Sequence, residues 1–254
     1  MSVAALPAPA STAAADRRPS LGRLTVVELR KMTDTRAGFW LLLSTVLITA
    51  AAVGIFVLVA DAPDLSLRDM VALAVQPSAF LLPVIGILLV CSEWSQRTAM
   101  ITFTLVPERS RVMLAKLLAA LLLAIVAFQL AFVFAAVGTA LGGGSWRYSA
   151  GLVGQVAVYT IVPMLAGVAF GAALRNPAAA IVGYFLIPIA FAALVSIPAI
   201  DGIAPWVDQT RSTESMVEPG MTAEEWARFG TSVLLWLGVP LAIGWWRVLR
   251  SDVQ

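Results

Sequence analysis

Read from the N-terminus, the chain alternates long apolar runs with short polar breaks. Six runs are long enough to be helices that cross a bilayer: 40–60, 70–90, 114–137, 152–174, 178–200 and 230–249. A span needs about 20 residues at about 1.5 Å of rise each to cover about 30 Å of hydrocarbon. Local chemistry marks several starts. Ser66-Leu67-Arg68-Asp69 and Thr222-Ala223-Glu224-Glu225 read as capping boxes, or near relatives, before the second and sixth runs. Asn176-Pro177 reads as an N-cap followed by proline at the first helical position, so a tight turn joins the fourth and fifth runs. Pro77, Pro83, Pro163, Pro188 and Pro240 lie inside the runs. Each removes a backbone donor, either for plain packing or to bend a helix beside a path or hinge.

The polar breaks differ in kind. Residues 1–20 are rich in Ala, Pro and Ser and are predicted to be a disordered tail. No apolar core with a cleavage site follows their charges, so they are not read as a signal peptide. Residues 21–36 place Leu21, Leu24, Val27 and Met32 on one side, with Arg23, Arg30, Lys31 and Arg36 around the rest, which predicts an interfacial helix. Cys91 to Lys116 gathers Glu93, Arg97, Glu108, Arg109, Arg111 and Lys116, so this stretch is expected in water or at headgroups. Trp94, Thr98, Ile101 and Leu105 recur at helical spacing before Pro107, which predicts a short amphipathic helix outside the bilayer. A charged loop that only fixes topology is the alternative. The largest remaining break, 201–229, is acidic and long enough for short helices, or is simply a solvated loop.

Composition agrees with the pattern. The 254 residues are 60% hydrophobic and 13% charged, with a mean hydropathy of +0.90. Soluble domains are typically about 25% charged, so the expectation is an all-α, polytopic integral membrane protein. Thirteen Lys and Arg against six acids fall on the side of the N-terminus, and four against nine on the other. The positive-inside rule then puts both termini in the cytoplasm. Seven of the eight tryptophans (positions 40, 94, 146, 206, 226, 245 and 246) fall near span ends, as an aromatic belt does. Gly138 with Gly142, and Gly167 with Gly171, are spaced for close helix packing.

Absences narrow the function. The chain has no histidine, which rules out HExxH zinc proteases and histidine-assisted serine chemistry, and it has no P-loop. The lone Cys91 has no partner for an intramolecular disulfide. No convincing nucleophile–base pair argues for an enzyme, and no cofactor is expected in this chain. The polar residues inside the runs are neutral: Gln76, Ser78, Gln129, Gln155, Tyr159 and Tyr184. Ion-coupled carriers normally need intramembrane charges to bind and release the driving ion, so energy is expected from elsewhere. Gln76, Gln129, Gln155, Tyr159 and Tyr184 are candidates for a substrate path, or else hydrogen-bond helix to helix.

The order of motifs resembles the permease subunits of ABC-2 type transporters in their short six-helix bacterial form. Glu93-Trp94 at the end of the second span, then Pro107, Arg109, Arg111 and Lys116 leading into the third, carry the resemblance. Glu28-Leu29-Arg30-Lys31 before the first span and Arg175-Asn176-Pro177-Ala178-Ala179-Ala180 between the fourth and fifth add to it. Arg97-Thr98 departs from it, since the family usually has Gly before Thr. The resemblance implies an elbow helix at 21–36, a six-helix transmembrane domain over 40–250, a cytoplasmic coupling segment at 91–113 and external helices within 201–229. It further implies a non-catalytic exporter of a drug, lipid or other amphipathic substrate in the bacterial cytoplasmic membrane. ATP and Mg would be bound by a separate ATP-binding subunit, docked through Glu93, Trp94, Arg97, Thr98, Ile101, Leu105 and Arg109, with Glu28 and Arg30 beside them. A second copy of this chain or a homologous permease would complete the path, and no nucleic acid is expected. An ATP-independent carrier or channel, and an assembly or sensor protein, are the other readings of the same residues.

Overall fold

In a computed structural model of the chain, residues 19–60, 65–96, 108–198 and 201–250 are described. The architecture is all-helical, with no strand among the described residues. The helices are α1 (Leu21–Asp34), α2 (Arg36–Val59), α3 (Leu67–Ser95), α4 (Arg109–Leu141), α5 (Ala150–Leu174) and α6 (Pro177–Val195). Two short helices follow, α7 (Ala204–Val207) and α8 (Gln209–Thr213). The chain ends in α9 (Ala223–Val233), a π-helical turn (Leu234–Gly238) and α10 (Val239–Arg250). Six helical stretches are long and apolar enough to cross a membrane, the pattern of a multi-pass membrane protein: α2 to α6, and the continuous 223–250 stretch.

The caps fall where their chemistry requires. Ser66 accepts from the Asp69 N–H, Asn176 from Ala179, and Thr222 forms a reciprocal capping box with Glu225. Arg175 takes the left-handed conformation (φ 55°) at the end of α5, which lets two residues reverse the chain into α6. The helix ends depart from the apolar limits in an informative way. The second span runs on to Ser95 and the third begins at Arg109, because the charges at Glu93 and Lys116 are matched inside the protein and do not force the helix to stop. The fifth span ends at Val195, short of residue 200, since Pro198 disfavours the helical conformation at Ile197.

The two most buried spans, α3 and α5, form the centre, and α2, α6 and the last span pack around them. Their backbones touch. A Cβ on Gly86 would sit 2.7 Å from the Met164 carbonyl oxygen, and one on Gly167 would collide with the Pro83 backbone. Gly138 of α4 and Gly142, its C-cap, similarly leave room for Val53 and Leu65. One end of the bundle, here the terminal end, collects α1, the end of α3, the start of α4, Arg175 and the end of α10. The opposite, loop end holds 65–66, 142–149 and 196–222. There Ser66 and Ser145 form an isolated β-bridge, and Arg68 pairs with Glu218. Trp236, in the π-helical turn, is buried and donates its indole N–H to the Val207 carbonyl (2.7 Å), tying the last span to α7.

Candidate functional site

Four charged side chains meet at the terminal end. Lys116 Nζ of α4 lies 2.6 Å from Glu28 Oε2 of α1 and 2.9 Å from Glu93 Oε1 of α3. Lys31 Nζ of α1 lies 2.7 Å from both Glu28 Oε1 and Glu93 Oε1. Glu28, Glu93 and Lys116 are buried, with Lys31 half-buried at the rim. The set is neutral, and each ammonium bridges two carboxylates. These are the chain's only two lysines. Burial pushes the Lys31 ammonium down, but the Glu93 and Glu28 carboxylates outweigh it and hold its pKa above the ordinary lysine value.

This cluster corrects the expectation for α1. The buried stripe is Thr25, Glu28 and Met32, while Val26 and Val27 stay exposed. A carboxylate occupies the inner face because two ammonium groups wait there for it. Glu93 and Lys116 likewise lie inside the protein rather than in water or at headgroups. Of the residues assigned to a partner interface, Glu28 and Glu93 therefore face inward onto lysines. Arg30 is exposed. Trp94 is half-buried beneath the Arg175 guanidinium, whose Cζ sits 4.1 Å from its ring centroid. Arg109 donates from Nη1 to the Val248 carbonyl at 3.0 Å, fastening the last helix to α4. Arg97, Thr98, Ile101 and Leu105 lie outside the described residues. Cys91 is buried, with its Sγ 3.5 Å from the Gly171 carbonyl oxygen.

A second feature lies towards the loop end. A cavity of about 420 Å³ opens between α3, α5, α6 and α8, and brings together Gln76, Tyr159 and Tyr184 from the proposed path. Tyr159 donates its hydroxyl to Gln76 Oε1 at 2.9 Å. Phe80 and Phe185 stack across α3 and α6 with ring centroids 4.8 Å apart, and Tyr184 meets Phe185 edge-on at 4.9 Å. Among the described residues, no Asp, Glu, Lys or Arg lines this cavity. The other two path residues are elsewhere. Gln155 is buried and donates from Nε2 to the carbonyls of Ser215 (3.3 Å) and Glu218 (2.8 Å), so it holds the 214–218 segment down on α5. Gln129 is exposed on the outer face of α4.

A separate pocket of about 270 Å³ between α1, α2, α3 and α4 is almost wholly apolar, relieved by Thr33, Thr45, Thr49 and Ser78. Among the described residues, no group of His, Cys, Asp or Glu is arranged to hold a metal ion. Compared with models of known protein families the sequence gave no match, and compared with curated proteins it gave none.

Two signals for this geometry were in the sequence. One is the presence of only two lysines, both near a glutamate-bearing element. The other is the repeat of Tyr-x-x-x-Pro in the fourth and fifth spans, at 159–163 and 184–188.

Proposed function

We propose that the chain is the membrane-spanning permease subunit of an ATP-driven transporter of the ABC-2 type, an exporter of an amphipathic substrate. The terminal end of the bundle is then its cytoplasmic face, and the membrane is the bacterial cytoplasmic membrane. The observation that carries this reading is the four-residue ion cluster. It fastens the elbow helix α1 to the ends of α3 and α4, the two helices that the 97–107 segment connects. A force applied to that segment by a separate ATP-binding subunit would move three elements as one body. Buried ion pairs are poor sources of net stability, because desolvation offsets the Coulomb gain. Their use here is to fix geometry: four groups must stay in register or leave a charge unmatched.

The cavity supports the same reading. It brings neutral hydrogen-bonding groups and aromatic rings together from three spans, and among the described residues its wall has no Asp, Glu, Lys or Arg to bind a driving ion. In the proposed complex, Ile101 and Leu105 seat in a groove of the ATP-binding subunit and supply most of the affinity, since exposed ion pairs contribute only about 0–1 kcal/mol each. Two permease copies, or this chain and a homologue, enclose the path.

The test is to look for an ATP-binding subunit encoded beside this gene and to co-express the two. Ile101→Asp with Leu105→Asp is expected to release the ATPase or to uncouple its hydrolysis from transport, while the permease stays folded in the membrane. Unchanged binding and transport would leave 97–107 a topogenic loop and remove the coupling assignment.

A further inference from the structure

Three helices around the larger cavity each carry a proline four residues after a residue of its wall. Pro83 follows Ala79 on α3, Pro163 follows Tyr159 on α5, and Pro188 follows Tyr184 on α6. A proline inside a helix has no N–H to give to the carbonyl four residues back. The carbonyls of Ala79, Tyr159 and Tyr184 therefore each lack the donor that an ordinary helix supplies. Within a bilayer such a group must be matched by a neighbour, a water or a ligand. The nearest hydroxyl donor is already spent, since the Tyr159 hydroxyl goes to Gln76. Beside the amides of Gln76 and Gln209, the wall thus offers open acceptors and aromatic surface, and among the described residues it carries no charge.

From this we infer that the cavity binds an uncharged amphipathic molecule whose head carries hydroxyl or amide donors and whose apolar body lies against Phe80 and Phe185. The donors satisfy the carbonyls that the prolines leave open. An anion finds no cation on this wall. An organic cation would be attracted by carbonyls and rings, but it finds no carboxylate to offset the loss of its hydration. The inference rests on the permease reading only in naming this molecule as cargo; the binding itself stands apart from it.

The experiment uses the full chain in phosphatidylcholine nanodiscs and three photoreactive amphiphiles sharing one diazirine-bearing chain. Their heads are a monoacylglycerol, a carboxylate and a trimethylammonium. The monoacylglycerol is expected to label α3, α5 or α6 saturably and in preference to both charged probes. Pro188→Ala and Pro163→Ala each return a helical N–H to a carbonyl of the wall. Each should weaken that labelling about fivefold, the worth of one net hydrogen bond, without lowering thermal stability. Pro240→Ala, away from the cavity, should leave it unchanged. Preferential labelling by either charged probe, labelling confined to other helices, or indifference to both cavity prolines would overturn the inference. Labelling needs neither ATP nor a partner subunit. A labelled cavity without ATP-driven movement of the monoacylglycerol would therefore sink the transport reading alone. ATP-driven transport of another class of molecule with no labelling would sink the cavity assignment alone.

Discussion

Lys116 and Glu28 are 88 residues apart in the chain, yet ammonium and carboxylate meet at 2.6 Å in a site almost closed to solvent. The contact makes the amphipathic N-terminal helix part of the bundle rather than an appendage lying beside it. Glu93 completes the join from α3, so a disturbance at any one of the three helices reaches the other two.

Removing one member of this set should therefore cost far more than an exposed ion pair. Lys116→Met leaves two buried carboxylates to share the half-exposed Lys31, and a loss of about 3–5 kcal/mol is expected. The double change Glu28→Gln with Lys116→Met should cost less than the sum of the two single changes, because it deletes matched charges. Unfolding of the four proteins in detergent measures the coupling. Additive losses would mean that the two groups do not interact.

The cluster also sets a pH dependence. The Lys31 pKa is raised in the folded protein, so its contribution is fully present below the ordinary lysine value of about 10.4. That contribution is lost as pH rises through the folded value. Thermal stability attributable to Lys31 should hold from neutral pH to about 10 and decline above it. The decline should be smaller in Lys31→Met, measured over the same series. A Lys31-dependent loss already complete near pH 8 would contradict the assignment.

Sidedness can be read with thiols. Cys91 is buried, so the native protein should not react with a maleimide until it is unfolded. In a Cys91→Ser background, an impermeant reagent applied to intact cells should label a cysteine at Glu214, which is exposed at the loop end, and spare one at Ser110. The reverse pattern would invert the orientation.

Gln155 separates a structural amide from a substrate contact. Its side chain holds two carbonyls of the 214–218 segment, and Gln155→Leu leaves both without it. A loss of about 1–3 kcal/mol is expected, together with faster proteolysis within 214–222. Transport specificity should shift instead with Gln76→Leu and Tyr159→Phe, whose side chains share the cavity. A changed substrate profile in Gln155→Leu at unchanged stability would return it to the path.

The long elements were legible because their signals are local. Six apolar runs, Asn176-Pro177 and the Thr222–Glu225 box need nothing beyond their own neighbours to be read. The ion cluster was not, because Glu28, Glu93 and Lys116 come from three helices and only packing brings them together. Treating each charge singly sent them all to solvent. The same limit applies to the polar residues of the spans. Gln76, Gln155 and Tyr159 have similar surroundings in sequence, but one packing geometry gives Gln76 and Tyr159 to a cavity and Gln155 to a loop. The π-helical turn at 234–238 carries no composition of its own. Burial of Trp236 against Val207 accompanies it.

The two-residue joint at Arg175 and Asn176 makes α6 a lever. One end is hinged directly to the central helix α5, and most of its length is loosely packed. At about 1.5 Å per residue, Tyr184 lies about 12 Å from that pivot and Ala192 about 24 Å. A rigid swing of the helix about that joint would move the cavity wall at Ala192 about twice as far as the wall at Tyr184. The joint thus turns one small rotation into two unequal displacements along the same wall.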